Sequence, residues 1–221
     1  EYAAALLVRE KTLERYPSLR SLLEELRGAL SDERMRTLNR KVDLEKRPPA
    51  EVVAEFLEAW NEENGGAWNA RRASEKGRKA ASGTADLVIG TKNFTEQYLL
   101  GQILAQWING ASPQTARLNA GLGGTSICFE ALRRGDIDAY VEYSGTLLTS
   151  VIDPPEGMEK PRGVKALDAF LARQLQAEYG LIWMAPLGFN NTYAILVREE
   201  DDRFSGIRTL SELTERLNAR P

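Results

Sequence analysis

Histidine is absent from this 221-residue chain, and cysteine occurs once, at Cys128. The first absence removes Ser-His-Asp and Cys-His catalysis and His-ligated zinc. The second removes an internal disulfide framework and any multi-cysteine metal site. A membrane-spanning helix needs about 18–20 apolar residues, and no run here is that long. Positive charge is not in excess: 29 Lys and Arg face 32 Asp and Glu, for a net charge of −3. No global positive field exists to hold nucleic acid. The opening EYAAALLVRE lacks a basic stretch followed by a long apolar core, so no signal peptide is visible. A start at Glu1 suits a processed, cloned or truncated chain.

What is present is a foldable composition, 43% hydrophobic and 28% charged. That is ample for a core and argues against wholesale disorder. At roughly 100–200 residues per domain, the length allows one large domain or two small ones.

Three regions differ in pattern. In residues 1–62, EYAAALLVRE reads as one buried strand or as the opening of a helix. Leu13, Tyr16, Leu19, Leu22, Leu23, Leu26 and Leu30 then recur at spacings of three and four, the mark of an amphipathic helix. Pro17 divides it, predicting a short turn before and a longer helix after. Ser31 is an N-cap candidate before an acidic first turn. Pro48-Pro49 starts a helix with the stripe Val52, Val53, Phe56, Leu57 and Trp60. Residues 63–85 are rich in Gly, Ala, Ser and Asn and lose all periodicity, as a flexible linker does. Their five basic residues, Arg71, Arg72, Lys76, Arg78 and Lys79, make a weak case for a basic tether.

From residue 86 to 221 strands alternate with helices. DLVIG is a strand ending at Gly90, FTEQYLLGQILAQWI a helix, 115–120 a strand, 126–134 a helix stopped by Gly135, and IDAYVEY a strand. Residues 153–163 form a Pro/Gly loop, 164–179 a helix, LIWMAPLG and TYAILVRE extended segments, and 209–218 a last helix. Such alternation predicts an α/β fold, a parallel or mixed sheet flanked by helices on both faces.

Four motifs could carry chemistry. TKNFTEQ joins strand to helix, and Lys92 with backbone N–H groups near a helix start could hold an anion or carboxylate; an ordinary turn with a surface lysine reads equally well. GLGGT is neither GxGxxG nor a Walker loop, which argues against a nucleotide. Its glycines permit a sharp turn or a close approach to ligand, with Thr125 as cap of the next helix. In DIDAYVEYSGT, Asp138, Tyr140 and Glu142 share one strand face and Ala139, Val141 and Tyr143 the other. Paired catalytic carboxylates must face each other roughly 5–9 Å apart across a substrate, which strand neighbours do not ensure. Tyr143 before Ser144-Gly145-Thr146 reads better as an aromatic wall at a strand's carboxyl end, where open α/β sheets bind ligands. In GFNNTYAILVR, Asn190 and Asn191 turn the chain and Tyr193 begins an extended run. Tyrosine faces gathered at strand ends can hold a quaternary ammonium by cation–π attraction. The four tryptophans, Trp60, Trp68, Trp107 and Trp183, are assigned no site.

GTKNFTEQYLLGQILAQWI, LGGTSICFEALRRGDIDAYVEYSGT and LGFNNTYAILVR, in this order, resemble the substrate-binding proteins of ABC importers for quaternary amines: glycine betaine, choline and carnitine. The resemblance implies a type II periplasmic-binding-protein-like lobe, of a fold in which two crossing strands join two lobes and tyrosines cage the ligand's trimethylammonium between them. Residues 1–58 resemble the family's end, its return crossing strand and closing helices, yet here they come first. The order is therefore permuted and most of lobe two is missing. A circularly permuted or engineered lobe and a fragment across two tandem binding domains both fit. The resemblance implies ligand contacts at Lys92, Thr125, Tyr143, Thr146, Asn191 and Tyr193, with Tyr2 as a third wall. It implies no enzyme activity, no cofactor and no metal. The partners it implies are a small quaternary amine and an ABC permease, separate or fused in the parent protein, on the outer side of the membrane. Another trimethylammonium compound such as ergothioneine, a sensor role and a non-binding assembly module are the alternatives. A lone lobe would bind weakly, and its exposed cleft face would promote self-association.

Overall fold

A computed structural model describes residues 2–65, 85–152, 161, 163–192, 195–198 and 200–219. The chain divides into two compact units, Glu1–Asn191 and Thr192–Pro221.

The first unit is built on a five-stranded sheet of order β3-β2-β4-β1-β5. Its strands are β1 (Ala3–Arg9), β2 (Leu87–Lys92), β3 (Ala116–Gly123), β4 (Ala139–Tyr143) and β5 (Leu181–Asn190). Strand β2 runs parallel to β3 and β4, while β1 is antiparallel to both of its neighbours, β4 and β5. The first strand of the chain thus lies inside the sheet, between strands more than 130 residues downstream in sequence, and its five central residues Ala4 to Val8 are at most 1% exposed.

Two cores flank the sheet, as period-two alternation requires of a strand covered on both faces. Ala4, Leu6, Val8, Ile89, Val141 and Tyr143 face one core; Ala5, Leu7, Tyr140 and Trp183 face the other. The first core is closed by α1 (Glu10–Arg15), α2 (Ser18–Glu24), α3 (Asp32–Asp43), α4 (Pro49–Glu63) and α5 (Thr95–Ala111). Trp107 is buried there, donating its indole N–H to the Leu22 carbonyl at 2.9 Å and meeting Trp60 edge-on, with ring centres 5.1 Å apart. The second core is closed by α6 (Thr125–Arg134), α7 (Ser144–Ser150) and α8 (Val164–Tyr179).

Local signals account for most element ends. Ser31 Oγ accepts the Arg34 N–H at 3.1 Å, capping α3. Pro49 opens α4. Gly135 and Gly180, at φ 88° and 62°, close α6 and α8 in the left-handed conformation. Four boundaries differ from expectation. Helices α1 and α2, either side of Pro17, have six and seven residues, because the chain turns again after Glu24 and Gly28 adopts φ 65°. Strand β2 continues past Gly90 to Lys92 through an irregularity in its pairing with β3. Gly121 to Gly123 belong to β3 rather than to a loop, and Gly124, not Thr125, is the N-cap residue of α6. Helix α4 runs to Glu63, into the stretch expected as linker; residues 66–84 of that stretch, with Trp68, and 153–160 of the expected Pro/Gly loop lie outside the described residues.

In the second unit a 3₁₀ turn (Asp202–Phe204) precedes α9 (Leu210–Asn218). Thr209 and Glu212 form a reciprocal capping box at the start of α9, and Arg216 Nη1 donates to the Arg203 carbonyl at 2.9 Å. None of its described residues is buried, and residues 195–198, expected as part of an extended segment, form no strand.

Candidate functional site

The carboxyl ends of β2, β3, β4 and β5 and the amino end of β1 lie along one edge of the sheet. Open α/β sheets bind ligands at this edge, because backbone groups and helix starts converge there. Lys92 ends β2, Tyr143 ends β4, Asn190 ends β5, and Tyr2 immediately precedes β1. Thr125 opens α6 just after β3, whose Gly123 pairs with Lys92, and Thr146 lies in the first turn of α7 after β4.

Lys92 is not held out as a surface cation. It is 5% exposed, and its Nζ lies 2.5 Å from Glu142 Oε1 and 5.0 Å from the centre of the Tyr143 ring. Glu142 is fully buried and also accepts from the Tyr143 N–H at 2.8 Å and the Tyr140 hydroxyl at 3.2 Å. Burial pushes the Glu142 carboxyl above its ordinary range, and Lys92 acts against that rise. Burial first, then Glu142, also raises the Tyr140 phenol, and burial pushes the neighbouring Cys128 thiol up to about 11. The Lys92 backbone N–H is spent as well, donating to Gln97 Oε1 at 3.3 Å. Lys92 is thus paired within the fold rather than presented as a free surface cation.

Tyr143 is 4% exposed. Its hydroxyl donates to Glu96 Oε1 at 2.6 Å and accepts from Gln97 Nε2 at 3.1 Å, while the same Nε2 donates to the Val141 carbonyl at 2.9 Å. Burial and the adjacent Glu96 raise the Tyr143 phenol. Phe94 stacks on Tyr143 with ring centres 6.5 Å apart, and Phe94 as a whole residue is 39% exposed. Asn191 joins the group: its Nδ2 donates to Glu96 Oε1 at 2.8 Å, and its N–H to the Tyr2 carbonyl at 3.0 Å. The Tyr2 N–H donates to Asn190 Oδ1 at 2.6 Å, and Ala3 N–H to Ser144 Oγ at 3.0 Å.

Lys92, Tyr143, Asn191 and Tyr2 are therefore brought together, with Thr125 and Thr146 at the starts of the flanking helices; Tyr193 lies outside the described residues. Three participants went unread in the sequence: Phe94, Glu96 and Gln97. All stand in the TKNFTEQ motif, where a charged and an amide residue in the first turn of a helix were the available signal. Asp138 serves elsewhere, accepting from Thr12 Oγ1 at 2.7 Å and Val88 N–H at 2.8 Å at the opposite end of the sheet.

A mixed sheet with helices on both faces and polar groups gathered along its carboxyl edge has the architecture of a periplasmic-binding-protein-like lobe. The chain belongs to the family of substrate-binding domains of ABC-type glycine betaine transport systems, whose family model matches residues 1–59 and 85–220. Members are substrate-binding transport proteins rather than enzymes. The chain is similar to the ergothioneine transport permease/ergothioneine binding protein EgtU of Helicobacter pylori, 35% identical over 127 residues, covering 58% of this chain and 22% of that protein. It is also similar to a glycine-betaine-binding protein of Pseudomonas aeruginosa, 33% identical over 131 residues, 59% of this chain and 40% of the relative. A carnitine transport binding protein of Listeria monocytogenes is 25% identical over 126 residues, 57% and 40% of the two chains. The chain thus spans less than half the length of these relatives. Among the described residues, no helix is long and apolar enough to cross a membrane.

Proposed function

We propose that this chain is a ligand-binding lobe of an ABC importer for quaternary amines, taking glycine betaine, choline, carnitine or ergothioneine. The observation that carries the reading is the convergence of Tyr143, Asn191 and Tyr2 on one sheet edge, beside the exposed ring of Phe94. The trimethylammonium would rest against Phe94 and Tyr2, with the buried Tyr143 stacked behind Phe94, Thr125 and Thr146 as hydroxyl partners and Tyr193 as a further wall. Lys92 serves the site from beneath, holding Glu142 and backing the Tyr143 ring. The partner is an ABC permease on the outer side of the membrane. The H. pylori relative is a permease/binding protein, which supports a fused arrangement.

The segment order is permuted. Two observations support this: the family matches in two blocks, and the first block supplies a strand enclosed by strands of the second. With most of lobe two missing, the ligand would stay half solvated, so the chain alone binds weakly. Titration of the chain with each of the four amines by calorimetry and by NMR tests this. Weak binding in the millimolar range that perturbs the Phe94 and Tyr143 rings is expected. Micromolar binding would overturn the missing-lobe reading, and no perturbation by any amine would overturn the ligand class.

A second reading, an assembly module, has its own observation. In the second unit Ile195, Leu196, Val197, Leu210 and Leu217 are 64%, 89%, 46%, 66% and 50% exposed. Contiguous exposed apolar surface promotes association. Size-exclusion chromatography with light scattering tests it: a monomer at high concentration would end this reading.

A further inference from the structure

The two outer strands of the sheet are finished differently. At β5 the chain covers its own edge: the Gly28 and Leu30 N–H groups donate to the Pro186 and Leu187 carbonyls at 3.1 and 2.9 Å. At the other side β3 pairs with β2 alone, and among the described residues no strand lies beyond it. The Leu87 N–H donates to the Thr115 carbonyl at 3.0 Å and the Gly121 N–H to Thr91 Oγ1 at 2.8 Å, so the odd-numbered residues of this stretch address β2. The even-numbered ones address the open side. Ala116 is satisfied there by the Asn109 side chain, which accepts its N–H at 2.9 Å and donates to its carbonyl at 2.7 Å, as a neighbouring strand would. Leu118 and Ala120 come next, with no such stand-in among the described residues. Beside them runs a groove of about 500 Å³, lined by Asn119, Leu122, Ile127, Ala131, Asp136 and Ile137. Ile127 is 55% exposed on its wall.

The second unit has the opposite deficiency. Residues 195–198 form no strand, yet three of them are aliphatic and open to water. Ile195 and Val197 line a cavity with Leu210 and Leu213, while Leu196 is the barest of the three at 89% exposed. In an extended chain Leu196 and Arg198 share the face opposite Ile195 and Val197. An open edge with an apolar groove and an apolar segment with no strand partner are the two halves of strand addition. We infer that residues 195–198 of one copy add to β3 of a second copy, antiparallel, with Leu196 seated in the groove against Leu122 and Ile127. Charge sets the direction. Asp136 lines the groove just before β4, at the amino ends of the parallel strands. Antiparallel addition leads the chain from Leu122 toward that end and brings Arg198 up to Asp136. The inference rests on the assembly reading and names the two surfaces that meet. The contact is heterologous, one copy giving the groove and the other the segment.

The test is sedimentation equilibrium of the full chain over a concentration series, beside three variants. The unaltered chain is expected to associate as its concentration rises. Leu196→Lys and Ile127→Lys each change an exposed position and should keep the melting temperature, yet each should weaken association by about tenfold or more, the worth of one buried leucine. Ala120→Pro should act likewise by removing an outward N–H from an edge strand, where proline is tolerated. A mixture of Leu196→Lys and Ile127→Lys chains should regain a one-to-one dimer, because the first keeps its groove and the second its segment. In that mixture an isotope-labelled Leu196→Lys chain should show amide shifts at Leu118 and Ala120. Association that Leu196→Lys abolishes but Ile127→Lys and Ala120→Pro leave unmoved would overturn the edge assignment, and so would a mixture that does not recover. Both results leave the assembly reading standing. A chain that stays monomeric at every concentration would bring down that reading and this inference together.

Discussion

Lys92 and Glu142, fifty positions apart, form an ion pair at the sheet edge, with Nζ 2.5 Å from Oε1 and side-chain exposures of 6% and 0%. Removing one partner strands a charge in an apolar interior, at a cost of about 3–5 kcal/mol. Glu142→Ala and Lys92→Ala should each lower the unfolding free energy by that amount in urea titration. The double variant Lys92→Met/Glu142→Leu should cost much less than the sum of the single changes. Near-neutral single variants would show that water reaches the pair. Loss of ligand binding in Lys92→Ala is accordingly expected to follow from loss of fold.

The same pair sets a pH dependence. Burial raises the Glu142 carboxyl above its ordinary value of 4.5, against the pull of Lys92. The folded state therefore holds this proton at a pH where the unfolded chain has released it. Its contribution to stability is fully present below pH 4.5 and is lost as pH rises through the folded value. Wild type should gain on Glu142→Gln as the pH falls from neutrality toward 4.5, a trend that chemical denaturation at stepped pH can read. A gap that stays flat or widens with rising pH would contradict the raised value.

What the sequence disclosed follows from the range of the interactions. The alternation in IDAYVEY is a local property, and it correctly sends Val141 and Tyr143 to one core and Tyr140 to the other. Ser31, Pro49 and Gly135 act within one helical turn, and their roles were legible too. The charge state of the site was not. Lys92 reads as a free cation until β2 and β4 lie side by side and Glu142 meets it. Glu96 reads as a routine first-turn acid until Tyr143 and Asn191 converge on it from 47 and 95 positions away. The extended course of Gly121 to Gly123 likewise depends on β2, whose Thr91 Oγ1 accepts the Gly121 N–H at 2.8 Å.

Two glycines should respond oppositely to alanine. Gly188 in β5 adopts φ 115°, and an added Cβ would stand 2.5 Å from the Leu30 carbonyl oxygen and 2.8 Å from Gly28 Cα. Those atoms are backbone, pinned by Leu30 N–H to Leu187 and Gly28 N–H to Pro186. Gly188→Ala combines an unfavourable conformation with a clash that nothing flexible can relieve, and a loss above about 2 kcal/mol is expected. Gly124 has φ −82° and no atom within 4 Å of an added Cβ. Gly124→Ala should change stability by less than about 1 kcal/mol. Thermal melts of the two variants decide the matter, and equal shifts would refute the contact geometry at Gly188.

Chain continuity between the two blocks should matter less than their packing. Strand β1 is hydrogen-bonded on both sides, to β4 from Ala4 to Val8 and to β5 from Ala3 to Arg9. Helices α3 and α4 pack with α5 into the same core, where Val52, Val53 and Leu57 are 0% exposed. Separating the blocks would return Leu6, Leu7, Val8 and these helix residues to water. Each fully buried aliphatic side chain is worth roughly 1.5–3 kcal/mol, so even a few of them outweigh the entropy gained by freeing a short fragment. A specific protease site inserted within residues 66–84 should therefore yield a nicked protein whose fragments co-elute and keep the far-ultraviolet spectrum of the intact chain. The nicked form should melt lower and become concentration-dependent, because reassociation replaces closure of a loop. Fragments that separate under native conditions would mean that the first block is not part of this core, and the permuted-lobe reading would fail with it.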